Sequence, residues 1–299
     1  MNRIRIVLVL ATALLPLRVS ALQVFACEPE WGALASELGG DRVEVYSATT
    51  GRQDVHVIQA RPSLIARFRK AELVICTGAS LEAGWLPVLL RQGGNPAVQP
   101  GKPGFLEAAS FVPMLDKPDT LDRAQGELHP MGNPHIQLDP RNIGLVAEAV
   151  SERLIQLDPA GAQDYGSRGA EFRTRWAQAI ARWEARGAPL SGMTVVTQHR
   201  SWTYLESWLG LREVANLEPK PGIEPSTSHL ASLLSVVEAA DVSVIIRAAY
   251  QSPRASDWLS ERTGIPAIVL PNTVGAVDGA DNLYTLFDVI LDRLEAVRR

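Results

Sequence analysis

Beyond its first two dozen residues, the sequence lacks any apolar run long enough to cross a membrane. A transmembrane helix needs roughly 18 uninterrupted apolar residues, and no later segment approaches that length. The sequence also lacks a long basic run, and its formal net charge is −4. Nucleic-acid-binding surfaces show clustered lysine and arginine. We therefore expect neither a membrane-spanning helix in the mature protein nor a nucleic-acid partner.

Cysteine is scarce: the chain has only Cys27 and Cys76, each at the end of a strand-like run, "LQVFAC" and "ELVIC". An oxidising compartment permits a disulfide between them, and two buried free thiols are the alternative. In a doubly wound sheet the first and third strands are usually neighbours. This arrangement would bring the Cα atoms of Cys27 and Cys76 within the bridging range of about 4.4–6.8 Å. "VFAC" also loosely resembles a lipidation box, in which Phe25 is a bulky misfit. A disulfide is our hypothesis.

The N-terminus reads "MNRIRIVLVLATALLPLRVSALQ". Two arginines precede an apolar stretch over residues 6–17, and the small-residue site Val19-Ser20-Ala21 follows. This order is typical of a secretory signal peptide. We predict a signal peptide over residues 1–21, cleavage after Ala21 and export to the periplasm.

From residue 22 onward, short apolar runs alternate with amphipathic stretches, a pattern that predicts parallel sheets with helical crossovers. The predicted fold class is α/β, with two lobes that each contain a parallel β-sheet flanked by helices, joined by one long rigid α-helix. The lobes cover residues 22–158 and 188–299. The linking helix covers residues 159–187, where a stripe of Phe172, Trp176, Ile180 and Trp183 recurs at helical spacing. Such lobes hold ligands in the cleft beyond the carboxyl ends of their strands.

Three of the five histidines fall at that predicted edge: His56, His135 and His199. His56 lies in the loop after the second strand, His135 lies just before a helix that begins near Pro140, and His199 ends the first strand of the second lobe. Three imidazoles with a fourth position for water or a carboxylate are an established zinc arrangement. The three positions form no compact motif, so their spacing alone does not identify a metal site.

Several segments together resemble the periplasmic zinc and manganese solute-binding proteins of metal ABC transporters. The sharpest are "QDVH" and "HPMGNPHIQLDPRN", and "TVVTQHRSWTYLESWLGL", "LEPKPGIEPS" and "YQSPRASDWLSERTGIPAIVLP" follow in order. The resemblance implies two α/β lobes bridged by one long helix, with metal between them. It implies that His56, His135 and His199 are the metal ligands and His129 a neighbour. The implied partners are a zinc ion and the membrane permease of an ABC importer, and we expect a monomer.

The chain departs from this family at the fourth ligand. Members with a fourth protein ligand carry a carboxylate after the last strand of the second lobe, where this chain has Asn272 in "LPNTVG". Water, or a carboxylate from a mobile segment, would then complete the site; the candidate carboxylates are Asp54, Asp278 and Glu224. Three neutral imidazoles favour Zn²⁺ over Mn²⁺, which prefers oxygen donors.

Two other classes of protein remain as alternatives at this point. A zinc-dependent hydrolase would also use three histidines and a water, but the HExxH and GxSxG signatures are absent. A metal-sequestering or adhesin module without a transporter would show the same metal site. We predict a binding protein that is not an enzyme.

Overall fold

The computed structural model describes residues 21–120, 126 and 129–298. The signal peptide predicted over residues 1–21, apart from Ala21, lies outside the described residues. The strands are β1 Leu22–Ala26, β2 Val43–Ser47, β3 Leu73–Cys76, β4 Phe105–Glu107, β5 Thr194–Thr197, β6 Arg212–Asn216, β7 Val244–Ala248 and β8 Ala267–Leu270. The α-helices are α1 Pro29–Gly39, α2 Pro62–Lys70, α3 Leu86–Gly93, α4 Pro140–Leu157, α5 Ala162–Gly187, α6 Thr203–Leu209, α7 Thr227–Ala239, α8 Arg254–Thr263 and α9 Leu283–Val297. Within these ranges, no helix is both long and apolar enough to span a membrane.

The strands form two parallel sheets with the same order of strands. In the described part of the chain the first sheet runs β2-β1-β3-β4 and the second β6-β5-β7-β8. Val24 of β1 pairs with Val45 on one side and with Leu73 on the other, so β1 lies inside its sheet. Parallel strands bring their carboxyl ends to one edge. The sheets confirm the predicted fold class of two α/β lobes joined by a long helix.

Capping residues set the start of several helices where the sequence predicts them. Asp139 accepts a hydrogen bond from the Arg141 backbone N–H at 2.8 Å, and Pro140 occupies the first turn of α4. Asn282 caps α9 in a capping box with Thr285. Such caps satisfy backbone N–H groups that the helix itself leaves without partners. They fix α4 directly behind the segment that carries His135.

Helix α5 is the long connector, and it packs against both lobes. Short 3-10 turns, Pro159–Gly161 and Ala188–Leu190, extend it at each end. Trp176 donates its indole N–H to the Pro140 carbonyl at 2.7 Å, and Trp183 donates to Asp288 of α9 at 2.7 Å. Two buried indoles thus tie one helix to α4 and to α9, so the connector contacts both lobes. The boundaries predicted for the lobes themselves stay a prediction.

The structure also contains elements that the sequence reading does not predict. Helix α3 follows Trp85, whose indole is fully buried. Strand β4 has only three residues, which is too short for apolar alternation to reveal. In the linking helix, Phe172, Trp176 and Trp183 are buried as the stripe predicts, whereas Ile180 is partly buried and Ala179 is buried instead.

Cys27 and Cys76 form a disulfide, as the hypothesis states. Their Cα atoms lie 4.7 Å apart, across the neighbouring strands β1 and β3. Both residues are fully buried in an apolar cluster with Phe25 and Phe68. The bond closes a loop across 49 positions of sequence.

Replacing both cysteines, as Cys27→Ala with Cys76→Ala, is expected to lower the free energy of unfolding by about 4 kcal/mol, because the unfolded chain loses a covalent constraint. Denaturant unfolding of the oxidised wild type and of the variant measures the difference. Thiol titration of the unfolded, unreduced wild type provides the control and should find no thiol. Two titratable thiols would contradict the disulfide.

Candidate metal centre

Three histidines from the two lobes meet in one buried cluster. One nitrogen atom from each of His56, His135 and His199 lies within 4.8 Å of the others. The ring centroids are 5.6 to 5.8 Å apart. The three residues are 8%, 5% and 7% exposed. The structure therefore brings together the three residues that the sequence reading selects.

None of these three histidines lies within a strand or an α-helix. His56 lies in the 3-10 turn Val55–Val57 after β2, and His135 directly precedes the 3-10 turn Ile136–Leu138 that leads into α4. His199 lies two residues beyond the end of β5. The cluster is thus built at the carboxyl edges of both sheets, where open α/β sheets bind ligands.

An oxygen atom faces the Nδ1 atom of every ring in the cluster. The pairs are His56 with Asp54 Oδ1 at 2.8 Å, His135 with Asn133 Oδ1 at 3.0 Å, and His199 with Glu218 Oε2 at 2.8 Å. In metal sites, a ligating histidine almost always gives its other ring N–H to such an acceptor, which fixes the ring and its tautomer. A metal in this cluster would therefore bind the Nε2 atoms.

Two of the oxygen partners use the same local geometry. The Oδ1 atom of Asp54 accepts from the His56 backbone N–H at 3.0 Å as well as facing its ring. Asn133 Oδ1 does the same for His135, also at 3.0 Å. Asx turns of this kind arise because a short side chain reaches the backbone two residues onward. The Asp-x-His and Asn-x-His spacings are the sequence signal for this arrangement.

Asn133 also joins the two lobes. Its side-chain N–H donates to the Arg200 carbonyl at 2.7 Å and to the Thr203 hydroxyl at 3.2 Å. Tyr204 donates its hydroxyl to the Asn133 carbonyl at 3.0 Å. The residue that orients His135 therefore also holds the loop that follows His199.

Electrostatics favour the neutral form of His135 and the charged form of Asp54. Burial lowers the pKa of His135 well below its usual value, and the neighbouring histidines lower it further. Burial raises the pKa of Asp54, but its hydrogen bond and charge interaction with His56 outweigh this, so the pKa lies below the usual value. Neutral imidazoles are the form that binds metal.

His129 lies beside the cluster and outside the group of three. Its ring centroid is 5.5 Å from that of His56. Burial first, and then the charge of His56, lower the pKa of His129 to about 4, although a hydrogen bond with the Ala79 backbone opposes the shift. Together with His135, His199 and Arg200 it lines a cavity of about 80 Å³. His229 is on α7, where its ring nitrogen lies 3.3 Å from the Asn216 carbonyl.

The residues considered for a fourth ligand lie in different places. Asp54 is engaged with His56, Asp278 is exposed beside Arg52, and Glu224 lines a separate cavity with Gln198. Asn272 shares a small cavity with His135, and its buried Oδ1 atom accepts no hydrogen bond. Within the described residues, no carboxylate joins the three histidine nitrogens in the group that could hold a metal.

A match to a known protein family covers almost the whole described chain. A profile described as "Zinc-uptake complex component A periplasmic" matches residues 24–297. The chain belongs to this family. Its members are solute-binding proteins of metal ABC transporters, so the resemblance noted in the sequence is confirmed.

Individual relatives are distant in sequence. The chain is 27% identical over 192 residues to the high-affinity zinc uptake system protein ZnuA of Yersinia pestis, which covers 58% of this chain and 59% of that protein. It is 21% identical over 264 residues to ZnuA of Bacillus subtilis, covering 86% and 81%. It is 22% identical over 237 residues to the iron-binding protein YfeA of Yersinia pestis, covering 77% and 70%.

Solved structures share the fold. A crystal structure of ZnuA superposes with a TM-score of 0.77 at 21% identity, covering 92% of this chain and 99% of that one. The laminin-binding adhesin Lmb of Streptococcus agalactiae superposes with a TM-score of 0.71 at 22% identity, covering 93% and 100%. At these identities the likeness shows the fold.

The Glu218 variants test the orientation of His199. Glu218→Ala is expected to weaken zinc binding by about 10–100-fold, because the ring loses the acceptor that fixes it. Glu218→Gln retains an oxygen at that position and should lose much less. Competition titration with a chromophoric chelator measures both affinities, and equal losses in the two variants would show that the acceptor does not orient the ring.

Gly51 tests the separation of the lobes. A Cβ atom at Gly51 would lie 2.4 Å from the Ala276 backbone nitrogen in the opposite lobe. Gly51→Ala should therefore wedge the loops apart and weaken zinc binding by about tenfold, because ligands displaced by about 1 Å lose their geometry. Gly166→Ala on α5, where a Cβ meets nothing within 4 Å, is the matched control. Unchanged affinity in the Gly51 variant would contradict the close contact.

Proposed function

We propose that this protein binds one Zn²⁺ ion through the Nε2 atoms of His56, His135 and His199 and delivers it to an ABC importer. The observation that carries the proposal is the convergence of three buried imidazole nitrogens, from both lobes, within 4.8 Å of one another. The Nδ1 contacts support it, because they leave Nε2 as the ligating nitrogen of each ring.

The geometry needs little adjustment to hold zinc. Zn–N bonds of about 2.0–2.1 Å in a tetrahedron place ligand atoms about 3.3 Å apart. Rings whose nitrogens lie within 4.8 Å reach that spacing when each moves inward by no more than about 1 Å. Movements of this size need only small changes in side-chain torsion.

Zinc is the proposed cargo because each of the three protein ligands is an imidazole. Mn²⁺ prefers carboxylate, carbonyl and water oxygens, so a site of three histidine nitrogens selects against it. We propose water as the fourth ligand, since the cavity beside His135 and His199 opens to solvent. Distant relatives are named as zinc, iron or manganese binders, so the relatives do not identify the metal. The proposal of zinc therefore rests on the donor atoms of this chain.

The proposed function also implies where the protein acts and which partners it binds. Family membership supports a periplasmic location and delivery to a membrane permease that works with an ATPase. Cleavage of a signal peptide after Ala21 remains a proposal from the N-terminal sequence pattern. Ligands come from both lobes, so separation of the lobes by the permease would remove one lobe's contribution and release the ion. We propose that the protein acts as a monomer, which size-exclusion chromatography with light scattering tests.

Histidine variants test the ligand assignment. His56→Ala, His135→Ala and His199→Ala are each expected to weaken zinc binding by at least a hundredfold, because each removes one of three protein ligands. His129→Ala and His229→Ala are the matched controls and should each change the affinity by less than tenfold. Elemental analysis after zinc loading and dialysis gives the stoichiometry, expected to be one ion per chain. Equal losses at all five positions would overturn the assignment.

A further inference from the structure

The cavity that Gln198 and Glu224 share lies in the second lobe, where α7 and α8 begin. Its volume is about 250 Å³, and its lining includes Thr227 of α7 and Arg254 of α8. Liquid water occupies about 30 Å³ per molecule, so this volume corresponds to about eight waters and suits a small organic molecule. None of the three histidines lines the cavity, and it shares no lining residue with the two cavities beside His135.

The cavity lies where open α/β sheets bind ligands. In the strand order β6-β5-β7-β8, the chain leaves β5 toward β6 on one side and then crosses to β7 on the other side. Ligands of such sheets bind beyond the carboxyl ends of the strands, where the strand order reverses. Gln198 directly follows β5, and Ser252 lies four residues beyond the end of β7.

Hydrogen-bond acceptors line one part of the cavity. Gln198 is 5% exposed, and its buried Oε1 atom receives no hydrogen bond from the described residues. A buried carbonyl oxygen without a donor costs free energy, and a donor bound in the cavity would remove that cost. Glu224 adds an exposed carboxylate at the same cavity. An ammonium group, which carries three donors and a positive charge, matches both acceptors.

Hydrogen-bond donors come from the starts of the two helices. Helix α7 has 13 residues and α8 has 10, and the first residue of each lines the cavity. A helix start leaves backbone N–H groups without partners inside the helix and carries a partial positive charge. Arg254 adds a guanidinium, which pairs well with carboxylates. Among the described residues, the ion pairs include neither Arg254 nor Glu224. A carboxylate on the ligand therefore matches these donors.

Apolar side chains complete the lining. Leu230 and Ala255 are buried in the core cluster of the second lobe, and Trp258 packs against that cluster. The guanidinium carbon of Arg262 lies 3.9 Å from the centre of the Trp258 ring, so a cation–π contact helps to hold the indole in place. This part of the cavity suits a small apolar side chain on the ligand.

We propose that this cavity binds a free α-amino acid with an apolar side chain, such as leucine. The ammonium group donates to Gln198 and Glu224, and the carboxylate accepts from Arg254 and from the start of α8. The side chain packs against Leu230 and Trp258. A cavity that offers acceptors, donors and an apolar surface selects a zwitterion over a simple anion or cation. The site goes beyond the proposed zinc function and does not depend on it.

Isothermal titration calorimetry with leucine tests the proposal on the metal-free and on the zinc-loaded protein. The metal-free protein is included because leucine itself chelates zinc. We expect saturation at one leucine per chain with a Kd below about 1 mM in both forms. Leucinamide lacks the carboxylate and isocaproate lacks the ammonium group, although both keep the side chain of leucine. Each should bind at least tenfold more weakly than leucine.

Two variants assign the binding to this cavity. Arg254→Ala and Glu224→Gln should each weaken leucine binding at least fivefold. Arg173→Ala and Glu148→Gln, which change exposed residues on other helices, are the matched controls and should leave it unchanged.

The proposal is overturned if leucine gives neither binding heat nor a rise in Tm. Equal binding by the wild type and by the two cavity variants, or equal binding of leucine and leucinamide, would also overturn it. Leucine binding in a protein that fails to hold zinc would support this site and overturn only the proposed zinc function.

Discussion

The packing of α5 against both lobes is the constraint on which the rest of the structure depends. Trp176 donates a hydrogen bond to the Pro140 carbonyl at the start of α4, and Trp183 donates one to Asp288 of α9. One long helix therefore sets the distance between the two sheets. The candidate metal centre takes His56 and His135 from one side and His199 from the other. The three histidines come together only at this separation of the lobes. The facing loops approach so closely that a Cβ atom at Gly51 would lie 2.4 Å from the Ala276 backbone nitrogen.

Burial at this junction has two consequences for charge. Burial lowers the pKa of His135 well below its usual value, because charging an imidazole away from water is costly, and a neutral imidazole is the form that binds a metal ion. Glu30, which lines the small cavity beside His135, experiences the same desolvation, which raises its pKa to about 7. Desolvation at this boundary therefore shifts the pKa of an acid and of a base in opposite directions, each toward the neutral form.

Sequence reasoning predicts the fold well where local signals are strong. The alternation of strands and helices, the Asp139-Pro140 helix start and the Trp-bearing stripe of α5 all correspond to observed elements. Strand β4 escapes prediction because three residues carry no periodicity. The Cys27–Cys76 pairing follows from the neighbouring positions of β1 and β3.

Some contacts of the metal centre are indicated by the local sequence, and others depend on which strands pair in the fold. Asp54 and Asn133 stand two residues before a histidine, so the sequence itself indicates their contacts. Glu218 follows β6, and it contacts His199 because β6 pairs with β5. No short spacing in the sequence indicates this contact. The burial of Glu30 escapes notice because burial is a property of packing.

Zinc X-ray absorption on the zinc-loaded protein tests the central claim most directly. The account predicts a first shell of nitrogen and oxygen atoms at about 2.0–2.1 Å, with outer-shell scattering from three imidazoles. His135→Ala should reduce that outer-shell scattering or abolish zinc retention. A shell containing sulfur at about 2.3 Å, or one without imidazole scattering, would contradict a metal centre built from histidines of both lobes.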